Sequence, residues 1–236
     1  GPALAQLGVT GDLPDPQLQL FGQDGVVAAN SDWGGDPAIA SEAAKVGAFP
    51  WSDASSMDAA LAVSLAPGSF SVVISDADGD DGVALGEVYD ATPAGTRTQA
   101  TPRLNNISGR AEVGTGDNVL IAGFVIGGST SETVLIRGSG PALAQFGVSG
   151  ALTDPALRLN QSNGDGTSTL LGTNAGWNGG AQIAAVAASV GAFAWGSSAS
   201  ADSAILITLP PGAYTAEISG ASGDTGVSLI EVYEVP

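Results

Sequence analysis

The sequence predicts an all-β protein of two sandwich lobes, jelly-roll-like or immunoglobulin-like, each carrying one short helix. Three observations carry that expectation. A duplication runs through the 236 residues. Short apolar runs, several with period-two alternation, recur between turns rich in Gly, Ser, Thr and Pro. Each copy also holds a single Ala-rich stretch with helical spacing.

The duplication sets the domain plan. Gly1-Pro-Ala-Leu-Ala-Gln6 returns as Gly140-Pro-Ala-Leu-Ala-Gln145, and Asp15-Pro16 as Asp154-Pro155, at an offset of 139. Past the variable segment 161–172 the offset becomes 144, so the second copy contains a five-residue insertion. Trp33 then matches Trp177, "VGAF" at 46–49 matches 190–193, and Trp51 matches Trp195. "APGSFSVVISDADGDDGVALGEVYD" at 66–90 matches "PPGAYTAEISGASGDTGVSLIEVYE" at 210–234. The copies are unequal. Residues 1–90 read as an incomplete first sandwich repeat, 91–102 ("ATPAGTRTQATP") as an extended polar linker, and 103–236 as a complete second repeat. Segment 103–139, about three strands' worth, has no counterpart before Gly1.

Taken in order, 37–46 is the first helix and "LAVSLAPGSFSVVIS" at 61–75 a hairpin. In the second repeat, "NVLIAGFVIGG" at 118–128 and "ETVLIRGS" at 132–139 are strands joined by a Gly/Ser/Thr turn. Residues 181–190 form the second helix, with Ile183, Val186 and Val190 at helical spacing and Gly191 at the stop position. "AILITL" at 204–209, "AYTAEIS" at 213–219 and "GVSLIEVYEV" at 226–235 make a meander, turned first at Pro210-Pro211-Gly212.

"GTGDNVLIAGFVIGG", "ETVLIRGSGPALAQFGV", "DPALRL", "LPPGAYTAEISG" and "TGVSLIEVYE" resemble a tandem β-sandwich module of large secreted and surface proteins of environmental bacteria. The latter half is also similar to pre-peptidase C-terminal domains, which are jelly-roll-like accessory modules. The resemblance covers 103–236 fully and 1–90 in part, and it implies secretion and a non-catalytic role.

Composition narrows the chemistry. A net charge of −18, from 24 acidic against six basic side chains, repels nucleic acid and anionic membranes. The chain has no Cys and no His, so disulfides, His-dependent nucleophilic triads and ordinary zinc sites are excluded. No apolar run reaches the roughly 20 residues of a membrane helix, so membrane insertion is not expected. A chain opening on Gly rather than Met is expected to be a processed protein or a fragment.

Four sets of residues could carry function. Asp76, Asp78, Asp80 and Asp81, with Glu87 at the twelfth position, place oxygen ligands at a spacing that partly matches a calcium loop. The other reading is a solvated Asp/Gly hairpin turn; in the second copy Asp76 and Asp78 become Gly220 and Ser222. In "GVSLIEVYEV", alternation puts Glu231 on a face with Val227, Leu229 and Tyr233, where an unpaired carboxylate is expensive. Arg137 sits likewise among apolar neighbours, so the two are expected to form a structural ion pair, leaving Glu87 without an equivalent cation in its own copy. Trp33, Trp51, Trp177 and Trp195 read either as core cover or as a sugar-stacking platform.

The expected function is therefore non-enzymatic: a structural subunit of an extracellular filament or cell-surface array. An incomplete sandwich has an open sheet edge that accepts strands from a neighbour, which gives self-association into a homopolymer. The alternative is an adhesive or carbohydrate-binding accessory module from a longer tandem array. Calcium is the one candidate cofactor.

Overall fold

A computed structural model describes residues 1–51, 53–93, 95–98 and 100–236. The chain divides into two compact units, Gly1–Arg103 and Leu104–Pro236. Ala94 and Gln99 of the expected linker lie outside the described residues. The protein is mostly β, in three antiparallel sheets.

In the first unit a 3-10 turn at Pro2–Leu7 precedes β1 (Pro16–Gly22), β2 (Gly25–Asn30), α1 (Pro37–Val46) and β3 (Ser71–Asp76). The strands form one antiparallel sheet in the order β2-β1-β3. The helix starts where the Asp36 carboxylate accepts the Ala38 N–H at 2.7 Å, with Pro37 in the first turn. It stops at Gly47, whose φ of 76° suits a residue without Cβ.

The second unit contains β4 (Asn106–Val113), β5 (Leu120–Ile126), β6 (Glu132–Ser139), β7 (Pro155–Ser162), β8 (Ser168–Asn174), α2 (Ala181–Ser189), β9 (Ser203–Leu209), β10 (Gly212–Gly220) and β11 (Gly226–Glu234). Its two four-stranded sheets run β5-β10-β7-β8 and β4-β11-β6-β9. Alternation fills the space between them: Val134 and Ile136 of β6, Leu157 and Leu159 of β7, Ala216 and Ile218 of β10, and Ile230 and Val232 of β11 form one buried cluster. The opposite face of the β6–β11 sheet is covered as well. Leu135 and Tyr233 pack there with Ala187 of α2, and Trp177 and Trp195 close over them. A residue on the outer face of β6 is therefore as dry as one in the sandwich core.

The duplication survives in backbone detail. A bulge interrupts the β1–β2 ladder after Leu20 and the β7–β8 ladder after Leu159, the matched position. Gly1 and Gly140 are both hemmed in, because a Cβ on either would collide with a backbone carbonyl, that of Leu13 or of Leu152. Strands β1, β2 and β3 thus correspond to β7, β8 and β10.

The expected hairpin at 61–75 forms only in part: Ser71–Asp76 is a strand, while 59–65 is not. Residues 84–90, the counterpart of most of β11, are likewise outside any strand. The cause lies in sheet order. In the second unit β6 stands between β11 and β9 and hydrogen-bonds to both. Among the described residues of the first unit no strand stands between 59–65 and 84–90, so neither has a ladder to join.

Candidate functional site

Arg137 is directly opposite Glu231 in the β6–β11 register. Its Nη1 lies 3.5 Å from Glu231 Oε2, with side chains 1% and 4% exposed. At that distance the contact is an ion pair rather than a hydrogen bond. The second terminal nitrogen, Nη2, donates to the Phe193 carbonyl at 2.8 Å. The guanidinium also lies over two rings, 4.5 Å from the centroid of Phe193 and 4.4 Å from that of Trp195. The Tyr233 hydroxyl donates to Glu231 Oε1 at 2.6 Å. Burial dominates the electrostatics. It pushes the Glu231 carboxyl up, against the pull of Arg137, and lowers the guanidinium's affinity for its proton, against the pull of Glu231. Arg137 is thus enclosed by a carboxylate, a carbonyl and two aromatic faces.

The first unit repeats three of the residues that enclose Arg137. Phe49, Trp51 and Glu87 match Phe193, Trp195 and Glu231 at the offset of 144. All three line one pocket, together with Ala84, Leu85 and Gly1, whose ammonium pairs with Asp58 at 2.8 Å. The Tyr89 hydroxyl donates to Glu87 Oε1 at 2.8 Å, as Tyr233 does to Glu231. Tyr89 is 43% exposed, against 8% for Tyr233. Partial burial and the Glu87 carboxylate still push its phenol up to about 12. Among the described residues Glu87 makes no ion pair.

The four tryptophans occur as two matched edge-to-face pairs. Trp33 and Trp51 have centroids 5.5 Å apart at 68°, and Trp177 and Trp195 are 5.3 Å apart at 69°. Three of the indole N–H groups are engaged internally. Trp33 donates to the Asp53 carbonyl, Trp177 to that of Ser197, and Trp195 to Ser139 Oγ. The pairs pin the 49–51 and 193–195 segments against the rest of each unit, which sets the walls of the arginine enclosure.

The Asp76–Asp81 stretch is organised by its own backbone. Asp76 accepts N–H groups from Asp15 at 3.0 Å, Asp78 at 2.9 Å and Asp80 at 3.1 Å. Desolvation raises its carboxyl, but the donors of Asp80, Asp15, Asp78 and Gly79 outweigh that and hold it below the usual range. Glu87, the twelfth position, accepts the Tyr89 hydroxyl. Among the described residues no group of three or more acidic side chains gathers in a way that could hold a metal. In the second unit the corresponding turn is built by Asp224, which accepts the N–H and hydroxyl of Thr153. Gly220 replaces Asp76 there, and a Cβ at that position would collide with the Asp224 carboxylate.

Two matched pairs of residues at these sites escape sequence reasoning. Asp58 is buried and accepts the Gly1 amine at 2.8 Å and the Ala3 N–H at 3.0 Å. Asp202 is buried in the same way, accepting Gly140 N–H at 2.8 Å and Ala142 N–H at 3.3 Å. Phe49 and Phe193 are the other pair. The available signal was recurrence at the 144 offset, which all four share with the tryptophans.

No family model matches the chain, and no curated protein matches it. Among solved structures, it is similar to the pre-peptidase C-terminal domain of a collagenase from Bacillus anthracis. That similarity has a TM-score of 0.32 and 12% identity, over 54% of this chain and 89% of that one.

Proposed function

We propose that the chain is a non-enzymatic structural subunit of an extracellular filament or cell-surface array, joined to its neighbours by β-strand complementation at the first unit. The contrast between matched positions of the two units carries this reading. Val72 on β3 is 47% exposed, whereas its counterpart Ala216 on β10 is fully buried between two sheets. Val63, Leu65, Leu85 and Val88, on the two segments without a ladder, are exposed as well. Exposed apolar side chains on segments that join no ladder support the reading of a strand-accepting edge. The second unit supplies the picture of a completed edge, in which β6 bridges β9 and β11. An extracellular setting is supported by the composition, low in Lys and rich in Gly, Ser, Thr, Ala and Val; no helix among the described residues is long and apolar enough to cross a membrane.

The test is negative-stain electron microscopy with light scattering across a concentration series of the purified chain. Ordered polymers that grow with concentration are expected. A monodisperse monomer at every concentration would contradict the reading.

A further inference from the structure

We infer that the second unit carries a binding site for a neutral sugar ring on the outer face of its β5-β10-β7-β8 sheet, between Glu217 and the β7–β8 turn. The site is separate from the arginine enclosure and stands independently of the assembly reading.

Alternation on β10 sends Ala216 and Ile218 into the sandwich core and Thr215 and Glu217 to the opposite face. Across the ladder Thr215 is opposite Asn160, and Glu217 is opposite Arg158. Among the described residues Glu217 and Arg158 make no ion pair. Arg158 Nε instead donates to Asn160 Oδ1, and Asn160 Nδ2 donates to Glu217 Oε1, both at 3.2 Å. These two bonds fix which way the Asn160 amide points. Asn160 is 5% exposed, so a buried side chain holds the carboxylate in place and leaves its other oxygen, Oε2, free.

The turn supplies the facing wall. It lies in segment 161–172, which contains the five-residue insertion, and its own side chains tie it. Asn163 Nδ2 donates to Thr167 Oγ1 at 2.8 Å, and Thr167 N–H donates to Asp165 Oδ1 at 2.9 Å. Gly166, Thr167 and Ser168 thereby line an open-sided cavity of about 220 Å³ with Asn160, Thr215 and Glu217. Among the described residues the hydroxyls of Thr215 and Ser168 have no protein partner.

The duplication shows that the fold does not require this cluster. At the matched positions Arg158, Asn160 and Glu217 are replaced by Gln19, Phe21 and Val73. There β1 pairs with β2 and β3 in the same order, and Gln23-Asp24 alone joins β1 to β2. A ligand accounts for a buried amide, an unpaired carboxylate and two bare hydroxyls gathered at one cavity.

The chemistry selects that ligand. Arg158 occupies the Asn160 carbonyl, so the amide offers N–H to the cavity, which a metal ion cannot use. Glu217, with no cation in the lining, repels anions. What fits is a neutral group that donates and accepts at adjacent atoms, and the vicinal hydroxyls of a sugar ring do both. One hydroxyl donates to Glu217 Oε2 and accepts from Asn160; the next exchanges with Thr215 and Ser168. Leu170, opposite Asn160 on β8 and 51% exposed, offers an apolar edge to ring C–H groups.

The experiment is saturation-transfer difference NMR on the full chain, a readout that tolerates self-assembly. The probes are the methyl glycosides of glucose, galactose, mannose and xylose, with glycerol, glucuronate and the peptide Gly-Asn-Gly for comparison. At least one glycoside should give a saturable signal with a dissociation constant of about 1 mM. Glu217→Gln and Thr215→Val, both on the outer face and both expected to melt like wild type, should each weaken it about tenfold. Glucuronate should bind more weakly than the glucoside. No saturable signal from any glycoside, an equal signal from glycerol, binding of the peptide alone, tighter binding of glucuronate, or indifference to both substitutions would each overturn the site. Both substitutions lie outside the segments that assembly would use, so polymer formation should persist in each.

Discussion

Arg137 and Glu231 show how a buried ion pair holds a place in a sheet without strongly stabilising it. Burial moves both groups toward their neutral forms, so desolvation outweighs their attraction. Removing one partner is the costly change: Arg137→Met should lower the stability of the second unit by about 3–5 kcal/mol in urea titrations, while Arg137→Met with Glu231→Leu should recover most of that loss. The sign with pH follows from the raised carboxyl. Such a group contributes stability fully present below its ordinary value of 4.5 and lost as pH rises through the folded value. The Arg137→Met deficit should therefore be smaller at about pH 4 than at neutrality. The phenols give a second check. Burial, with Glu87 nearby, holds Tyr89 up at about 12, and burial raises Tyr214 and Tyr233 as well. Stability from these groups is present below the ordinary value of 10 and lost as pH rises through the folded values. Ultraviolet titration of the native chain should show almost no tyrosinate at about pH 10, and the unfolded chain should show much more. The ion pair was legible because charges in an alternating apolar run demand a partner. Phe193 and Asp202 were not, since in sequence they look like ordinary loop residues.

At the scale of elements, apolar runs between turns located β5, β6, β9, β10 and β11 of the second unit but not β7 or β8, and Ala-rich helical spacing located both helices. The runs failed at 59–65 and 84–90, where the apolar pattern of β9 and β11 is present but the intervening strand is not. Pattern makes a segment fit to be a strand; a hydrogen-bonding neighbour makes it one. The Asp76–Asp81 spacing was ambiguous for a related reason, because carboxylates that gather backbone N–H groups and carboxylates that gather cations share a sequence signature. The buried aspartates staple the Gly-Pro turns to the start of the β9 segments. Asp202→Ala would leave the N–H groups of Gly140 and Ala142 without an acceptor, and should cost about 2–4 kcal/mol in denaturant melts.

At the scale of the molecule, one sequence plan occurs twice, and 103–139 stands ahead of the second copy. The second unit covers both faces of its β6-containing sheet and should unfold in a single cooperative transition when Leu104–Pro236 is produced alone. The first unit has the Trp pair and the aspartate staple, with Val63, Val72 and Leu85 exposed. The central claim is that a strand from outside completes it. The most direct measurement appends ETVLIRGS immediately ahead of Gly1, in the way that β6 leads into Gly140, and follows amide hydrogen exchange. The account predicts that 59–65 and 84–90 become protected to the level of β9 and β11, and that polymer formation is lost because the accepting edge is filled. Unchanged fast exchange in both segments, with the second unit intact, would contradict it.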